Sequence, residues 1–331
     1  MLRQALGVLS VASIVAVCAY RLVTLVLNTR GWQVLLPPTC RPSFWRLLRL
    51  RWMGEAINGL LPVGQVGGDV ARARLIAARG VPPADAAAAM VVDLGAGVVT
   101  QVVFGLAGGL AFALMRGGFA SRGAAAPASG RLSPSTAVTG LAFGAVILVA
   151  VILLLREIMA RLLPRLIERS RSGGRWAELA SDIARFEEAL SDLLARRRAL
   201  ASAVGWHLAG WCSQIGETWI LLTILGVPCS LPAALAVEGL AAAARGAAFF
   251  IPGGLGVQEV TVVTLAVVLG VPPAPALALG MAKRARELVI GLPGLLAWLV
   301  DERPALRRWQ ARVRELAHLR ELRHAEGGRD G

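Results

Sequence analysis

Apolar residues run along this chain in long blocks separated by shorter basic ones, and block length distinguishes a membrane span from a buried core helix. Residues 4–27, 84–115, 134–155, 200–226 and 275–300 are each apolar over the ~20 residues a helix needs to cross hydrocarbon, and they predict full spans. Tyr20 and Arg21 interrupt the first of them near one end. Two further segments, 48–80 and about 232–271, are apolar stretches broken in the middle. The breaks read LPVGQVGGD, from Leu61 to Asp69, and IPGGLGVQE, from Ile251 to Glu259. Pro62 aligns with Pro252, Gly64 with Gly254 and Asp69 with Glu259; Gly67 and Gly68 fill out the first break, Gly253 and Gly256 the second. Proline removes a backbone donor and glycine allows non-helical dihedrals, so each stretch interrupts a helix. At membrane depth such a break is tolerated only where the freed backbone is buried in protein or lines a wet cavity. Breaks at corresponding places in two halves point to a transport site.

Between the halves lie a loop of small residues at 116–133 and a charged region at 156–199. Trp176, Leu179, Ile183, Phe186, Leu190 and Leu193 follow a 3,4,3,4,3 spacing there, which predicts a helix with one apolar stripe that lies on the membrane surface or packs on a neighbour. The pattern therefore predicts an all-α polytopic membrane protein, residues 1–300, with inverted repeats at about 4–115 and 200–300, two re-entrant helix pairs and a cytoplasmic amphipathic helix at about 175–195. A polar tail, 301–331, is expected to be a short cytoplasmic helix with frayed ends.

Composition sharpens this reading. Of 331 residues 56% are hydrophobic and the mean hydropathy is +0.63, too apolar for a soluble domain of this size. The net charge of +14 sits between apolar blocks and in the tail, where cytoplasmic loops and anionic lipid explain it better than nucleic acid does. The Arg-rich regions 28–51, 156–199 and 301–331 fall on one side of the predicted topology; by the positive-inside rule the C-terminus is cytoplasmic and the N-terminus outside. The first re-entrant pair then enters from the cytoplasm and the second from the exterior. The first block is longer than the apolar core of a signal peptide and is kept as a span. Cys18, Cys40, Cys212 and Cys229 are scattered, with no His at ligand spacing, so neither a metal site nor a disulfide framework is expected.

A charged side chain at the bilayer centre costs roughly 2.5 to 3.5 kcal/mol on insertion scales and usually faces a cavity or a partner. The candidates are Glu55, Asp69, Asp93, Glu217, Glu238, Arg245, Glu259 and the cluster Lys283, Arg284, Arg286, Glu287, which is expected in the membrane interior. Ion pairs that only fix helix packing are the plain alternative for each. Asp69 and Glu259 open half helices, where a carboxylate caps exposed amides; with Asn58, Gln65 and Gln258 they also suggest a polar niche for a lipid headgroup. Arg72, Arg74 and Arg245 are placed to hold a phosphate, with an interfacial anchor as the alternative for the first two. His207 is expected to be a helix-packing hydrogen bonder. No diphosphate-metal motif, HExxH, GxSxG or P-loop is present, so no enzyme activity and no cofactor is expected.

Three motifs in order, EAINGLLPVGQVGGDVARARLIAARGV from Glu55, PGGLGVQE from Pro252 and KRARELVIGLPGLLAW from Lys283, resemble the lysylphosphatidylglycerol synthase transmembrane (flippase-like) family, and most closely its branch associated with hopanoid biosynthesis. The resemblance covers about residues 45–300. It implies a bacterial inner-membrane protein related to the lipid-translocating half of aminoacyl-phospholipid synthases, without the aminoacyl-transfer domain. The leading expectation is a lipid transporter or flippase for a hopanoid or anionic phospholipid, with Glu55, Asn58, Gln65, Asp69, Arg72, Arg245, Glu259, Lys283, Arg286 and Glu287 at its site. The competing expectation is a scaffold that gathers lipid-biosynthetic enzymes.

Overall fold

A computed structural model describes the backbone of residues 11–62, 66–121, 174–248, 251 and 254–327, with side chains over 14–62, 66–115, 181–248, 251 and 254–302. The described chain is helical throughout: α1 Val11–Leu35, α2 Phe44–Leu60, α3 Gly67–Ala77, α4 Pro83–Ser121, α5 Gly174–Ala195, α6 Arg197–Ile224, α7 Leu231–Ala247, α8 Val257–Val268 and α9 Pro273–Gly327, with one 3-10 turn at Pro38–Cys40. The predicted span 134–155 lies outside the described residues, as do Gly64, Gln65, Pro252 and Gly253.

Both predicted breaks separate short helices. α2 ends at Leu60 and α3 starts at Gly67; α7 ends at Ala247 and α8 starts at Val257. Gly254 and Gly256 have φ of +60° and +80°, values that exclude most side chains and so end one helix before the next begins. A second pair of matched turns was not anticipated. Gly80-Val81-Pro82-Pro83, after α3, recurs residue for residue as Gly270-Val271-Pro272-Pro273, after α8. Gly80 and Gly270 have φ of +100° and +94°, and the next amide reaches back to the fifth preceding carbonyl in each, Val81 to Ile76 and Val271 to Ala266. This is a Schellman C-cap, with proline then opening the next helix.

The packing repeats as well. α1 and α6 lie antiparallel: Thr24 meets Ser213 at 2.8 Å, Arg196 donates to the carbonyls of Val34 and Leu35 at 3.2 and 3.3 Å, and Val17 clusters with Leu221. Around that axis α2 packs on α9 as α7 packs on α4, α2 on α3 as α7 on α8, α3 on α4 as α8 on α9, α1 on α2 as α6 on α7, α1 on α4 as α6 on α9, and α1 on α9 as α6 on α4. The α4–α7 crossing is closed by small residues: a Cβ at Gly108 would lie 2.7 Å from the Cα of Gly239, so the two backbones touch. Such contacts are how helices associate where no water drives them together.

The outer surface is apolar, with Leu22, Val103, Leu110, Leu114, Leu292 and Leu296 among its exposed side chains, while charged residues such as Asp93, Glu217, Lys283 and Arg286 are buried. Among the described residues two helices, over Ile14–Leu35 and Pro83–Met115, are long and apolar enough by themselves to cross a membrane. α6 and α9 carry interior charges that lower their hydropathy.

Two boundaries differ from the sequence reading. α1 continues through 28–35, beyond the end at residue 27 predicted for the first span. Trp32, Leu35 and Leu36 are buried there, and Arg30 turns outward to Gln33 and the Phe44 ring, so one cation does not end the helix. The tail does not start a separate short helix, because α9 runs unbroken from Pro273 to Gly327. It is held at the point of exit by Asp301, which binds Arg49 at 2.7 Å and Arg79 at 2.8 Å, and by Glu302, which pairs with Arg74. Of the apolar stripe on α5, Ile183, Phe186, Leu190 and Leu193 are turned inward, and the last three pack in the cluster around Trp32, Leu47 and Ala89.

Candidate functional site

The interior charges assemble into two networks, both of which reach α6. In the first, Asp93 of α4, 2% exposed, takes one Arg51 bond at 2.8 Å, one from Arg72 at 3.1 Å and one shared with His207 Nε2 at 2.8 Å. Arg72 also pairs with Asp69 and lies over the Trp32 ring at 4.7 Å. Glu55 joins Arg51 at 3.1 Å to Arg21 at 2.6 Å. In the second, Glu217 of α6 is paired with Arg286 and, at 3.2 Å, with Lys283, which also reaches Glu238 at 2.9 Å; Glu238 in turn accepts from Thr218. The register that places Pro62 on Pro252 also places Asp93 on Lys283. One half thus buries an anion among cations where the other buries a cation among anions. An interior charge deprived of its partner is expensive, and each network avoids that by pairing across helices.

The half helices are capped differently. Glu259 accepts the Gly256 amide at 2.8 Å, as a carboxylate in the first turn should. Asp69 caps nothing. Asn58, at the end of α2, takes that place by accepting the Gly68 amide at 2.7 Å while donating to Asp69 at 3.0 Å, which frees the aspartate to hold Arg72. Gly54 and Gly68 make this possible, since a Cβ on Gly68 would collide with the Gly54 carbonyl.

Between the networks lies a polar cavity of about 310 Å³. Seven helices contribute to its wall, α1 through Arg21 and Asn28, α2 through Glu55 and Asn58, α3, α4, α6, α7 through Arg245, and α9 through Arg286 and Glu287. Among the predicted site residues, Glu55, Asn58, Asp69, Arg72, Arg245, Arg286 and Glu287 therefore share one cavity. Lys283 sits behind the wall, and Glu259 lies apart in a groove between α8 and α9, paired with Arg284 at 2.8 Å. Gln65 falls outside the described residues. Arg72 pairs with two aspartates through one terminal nitrogen, and its other terminal nitrogen is buried with no hydrogen-bond partner among the described residues.

Arg245 is held differently. Five guanidiniums and four carboxylates line the cavity, and four of the five, Arg21, Arg51, Arg72 and Arg286, touch a carboxylate. Arg245 touches only the Gln258 side-chain oxygen, at 2.6 Å; Gln258 passes the contact on to Glu287 at 2.9 Å. Among the described residues it is the cavity cation with no carboxylate in direct contact. Arg21, Arg51, Asp93 and His207 were not placed at the site from sequence. The signal for Arg51 was its i,i+4 spacing to Glu55, and for Asp93 the GVPP repeat, which extends the alignment of the breaks as far as Lys283.

Comparison with known proteins places the chain. The sequence profile of the Lysylphosphatidylglycerol synthase TM region matches residues 2–294, and the chain belongs to that family. No curated protein and no solved structure matches it. It is a membrane protein of a lipid-related family.

Proposed function

With this family membership as the premise, we propose that the protein moves lipid headgroups across the bacterial inner membrane through the cavity between its two halves, without catalysing a reaction on them. The observation that carries the reading is the polar cavity itself, enclosed by helices whose outer faces are apolar and lined by the ends of both halves, Asn58 and Leu60 on one side and Arg245 on the other. Its 310 Å³ suits a headgroup rather than a whole lipid, so the chains would stay in the bilayer while the headgroup crosses. Of the two lipid classes suggested by the sequence, hopanoid and anionic phospholipid, Arg245 favours the second, because a guanidinium without a direct counter-ion is the natural partner of a phosphate.

Alternating access between inverted halves is the mechanism we assign. Three observations support it: α1 and α6 occupy corresponding places and run antiparallel, the packing contacts of α1–α4 correspond to those of α6–α9 under exchange of halves, and the GVPP turns coincide. Arg49 of α2 and Arg79, in the turn after α3, reach the same Asp301, which supports a first helix pair that enters and returns on one side, the side we assign to the cytoplasm with α9.

The test is redistribution of headgroup-labelled phosphatidylglycerol in proteoliposomes. Wild-type protein is expected to equilibrate the label between leaflets and Arg245→Gln to slow phosphatidylglycerol more than phosphatidylcholine. Redistribution no faster than in empty vesicles would reject transport and leave the scaffold reading, in which enzymes dock on α5 and the tail.

A further inference from the structure

A second cavity, of about 430 Å³, lies between α8 and α9. Its walls are Val263, Leu277, Gly280, Met281, Ala285 and Leu288, and it has charge only where Glu259 and Arg284 line it. Gly280 keeps the slot open, since a Cβ there would come within 3.1 Å of Val263. The surrounding surface is apolar, with Val260 66% exposed and Val289 53% exposed, so the slot opens toward hydrocarbon.

Its polar end is wired to the central cavity. Arg284 donates to Glu259 at 2.8 Å and to Glu287 at 2.6 Å; Glu287 accepts from Gln258 at 2.9 Å, and Gln258 accepts from Arg245 at 2.6 Å. Glu287 and Arg245 line the polar cavity, Arg284 and Glu259 the apolar groove. The remaining terminal nitrogen of Arg284 is buried without a hydrogen-bond acceptor. An apolar slot, a cation with an unused donor at its mouth and a polar chamber beyond form the sequence of environments that matches an amphiphile from tail to headgroup.

We propose that the α8–α9 groove binds one hydrocarbon chain of a glycerophospholipid, with an ester or phosphate oxygen accepting from Arg284, and that the Arg284–Glu287–Gln258 bonds are the door through which the headgroup passes into the central cavity. The door rests on the translocation reading; the chain site stands without it. A phosphatidylglycerol with a photoactivatable diazirine in one acyl chain tests the site, in vesicles of phosphatidylglycerol and phosphatidylethanolamine. Peptides covering 257–268 and 277–288 should be labelled several-fold more than the lipid-exposed stripe of Val99, Val103 and Leu110 on α4, and Ala285→Trp should bring them down to that level. Equal labelling of both faces, or an excess that survives Ala285→Trp, overturns the chain site.

The door is tested by a reversible cross-link. In protein whose four native cysteines are replaced by alanine, Val263→Cys with Gly280→Cys joins α8 to α9, and each single cysteine variant serves as a control. Oxidation of the pair should slow redistribution of labelled lipid several-fold relative to the same protein reduced, while oxidation of either single variant leaves its own rate unchanged. Redistribution at the same rate with the pair oxidised overturns the door. Failure of unlinked protein to move lipid at all would reject translocation and the door with it, and the photolabelling result would still decide the chain site.

Discussion

At the residue scale, the charges of the cavity divide into those paired directly with an opposite charge and one, Arg245, that meets no carboxylate directly among the described residues. Asp93 belongs to the first kind: Arg51, Arg72 and His207, from three different helices, all converge on it. Asp93→Asn leaves two buried guanidiniums short of an anion and should cost about 3–5 kcal/mol, read as a lower unfolding midpoint in mild detergent. Arg245 belongs to the second. Arg245→Gln should leave that midpoint near wild type and change only the lipid assay, so the two variants separate folding from binding. Most of this was legible in the sequence as a set of residues but not as pairs. Charges in apolar blocks must be buried, which picks out Glu55, Asp69 and Glu287 with no structure at all, yet which Arg neutralises which acid depends on helix rotation. Arg72 shows the gap: its place one turn after a break suggests a phosphate ligand, and only packing reveals that Asp69 and Asp93 both pair with it.

At the scale of elements, the matched turns make a paired prediction. Gly80→Ala and Gly270→Ala each force a Cβ into left-handed backbone and should each cost about 1–2 kcal/mol, with similar loss of thermal stability in both variants. If one were neutral and the other severe, the two turns would not be equivalent. The α4–α7 crossing is less forgiving, and Gly108→Leu should cost about 1–3 kcal/mol by overpacking, more if the helices cannot part. Helix breaks were readable because proline and glycine act locally. Helix ends such as residue 35 were not, because burial of Trp32, Leu35 and Leu36 overrides the polar residues around them, and burial is a property of the partners.

At the scale of the whole molecule, the apolar exterior and the charged interior reverse the arrangement of a water-soluble protein, and both networks draw on α6 of one antiparallel helix pair. Removing residues 303–331 keeps Asp301 and Glu302, which bind Arg49, Arg79 and Arg74. Lipid redistribution by the shortened chain should match the full chain in vesicles; loss of cellular function with transport intact would instead favour the scaffold role. Composition and block length gave away the class of molecule, since nothing soluble carries this much apolar surface. The antiparallel seating of α1 on α6 was visible only as an implication of matched breaks and a charge bias between loops.

One element reaches past all of these. α9 is a single helix of 55 residues, roughly 80 Å at 1.5 Å per residue, against a hydrocarbon layer of about 30 Å. A rod rooted beside Glu287 and projecting well beyond the lipid amplifies any tilt at its base into a larger sweep at its tip. A fluorophore fixed near residue 320 would act as a pointer, reporting any tilt of the helix base from about 50 Å away without touching it.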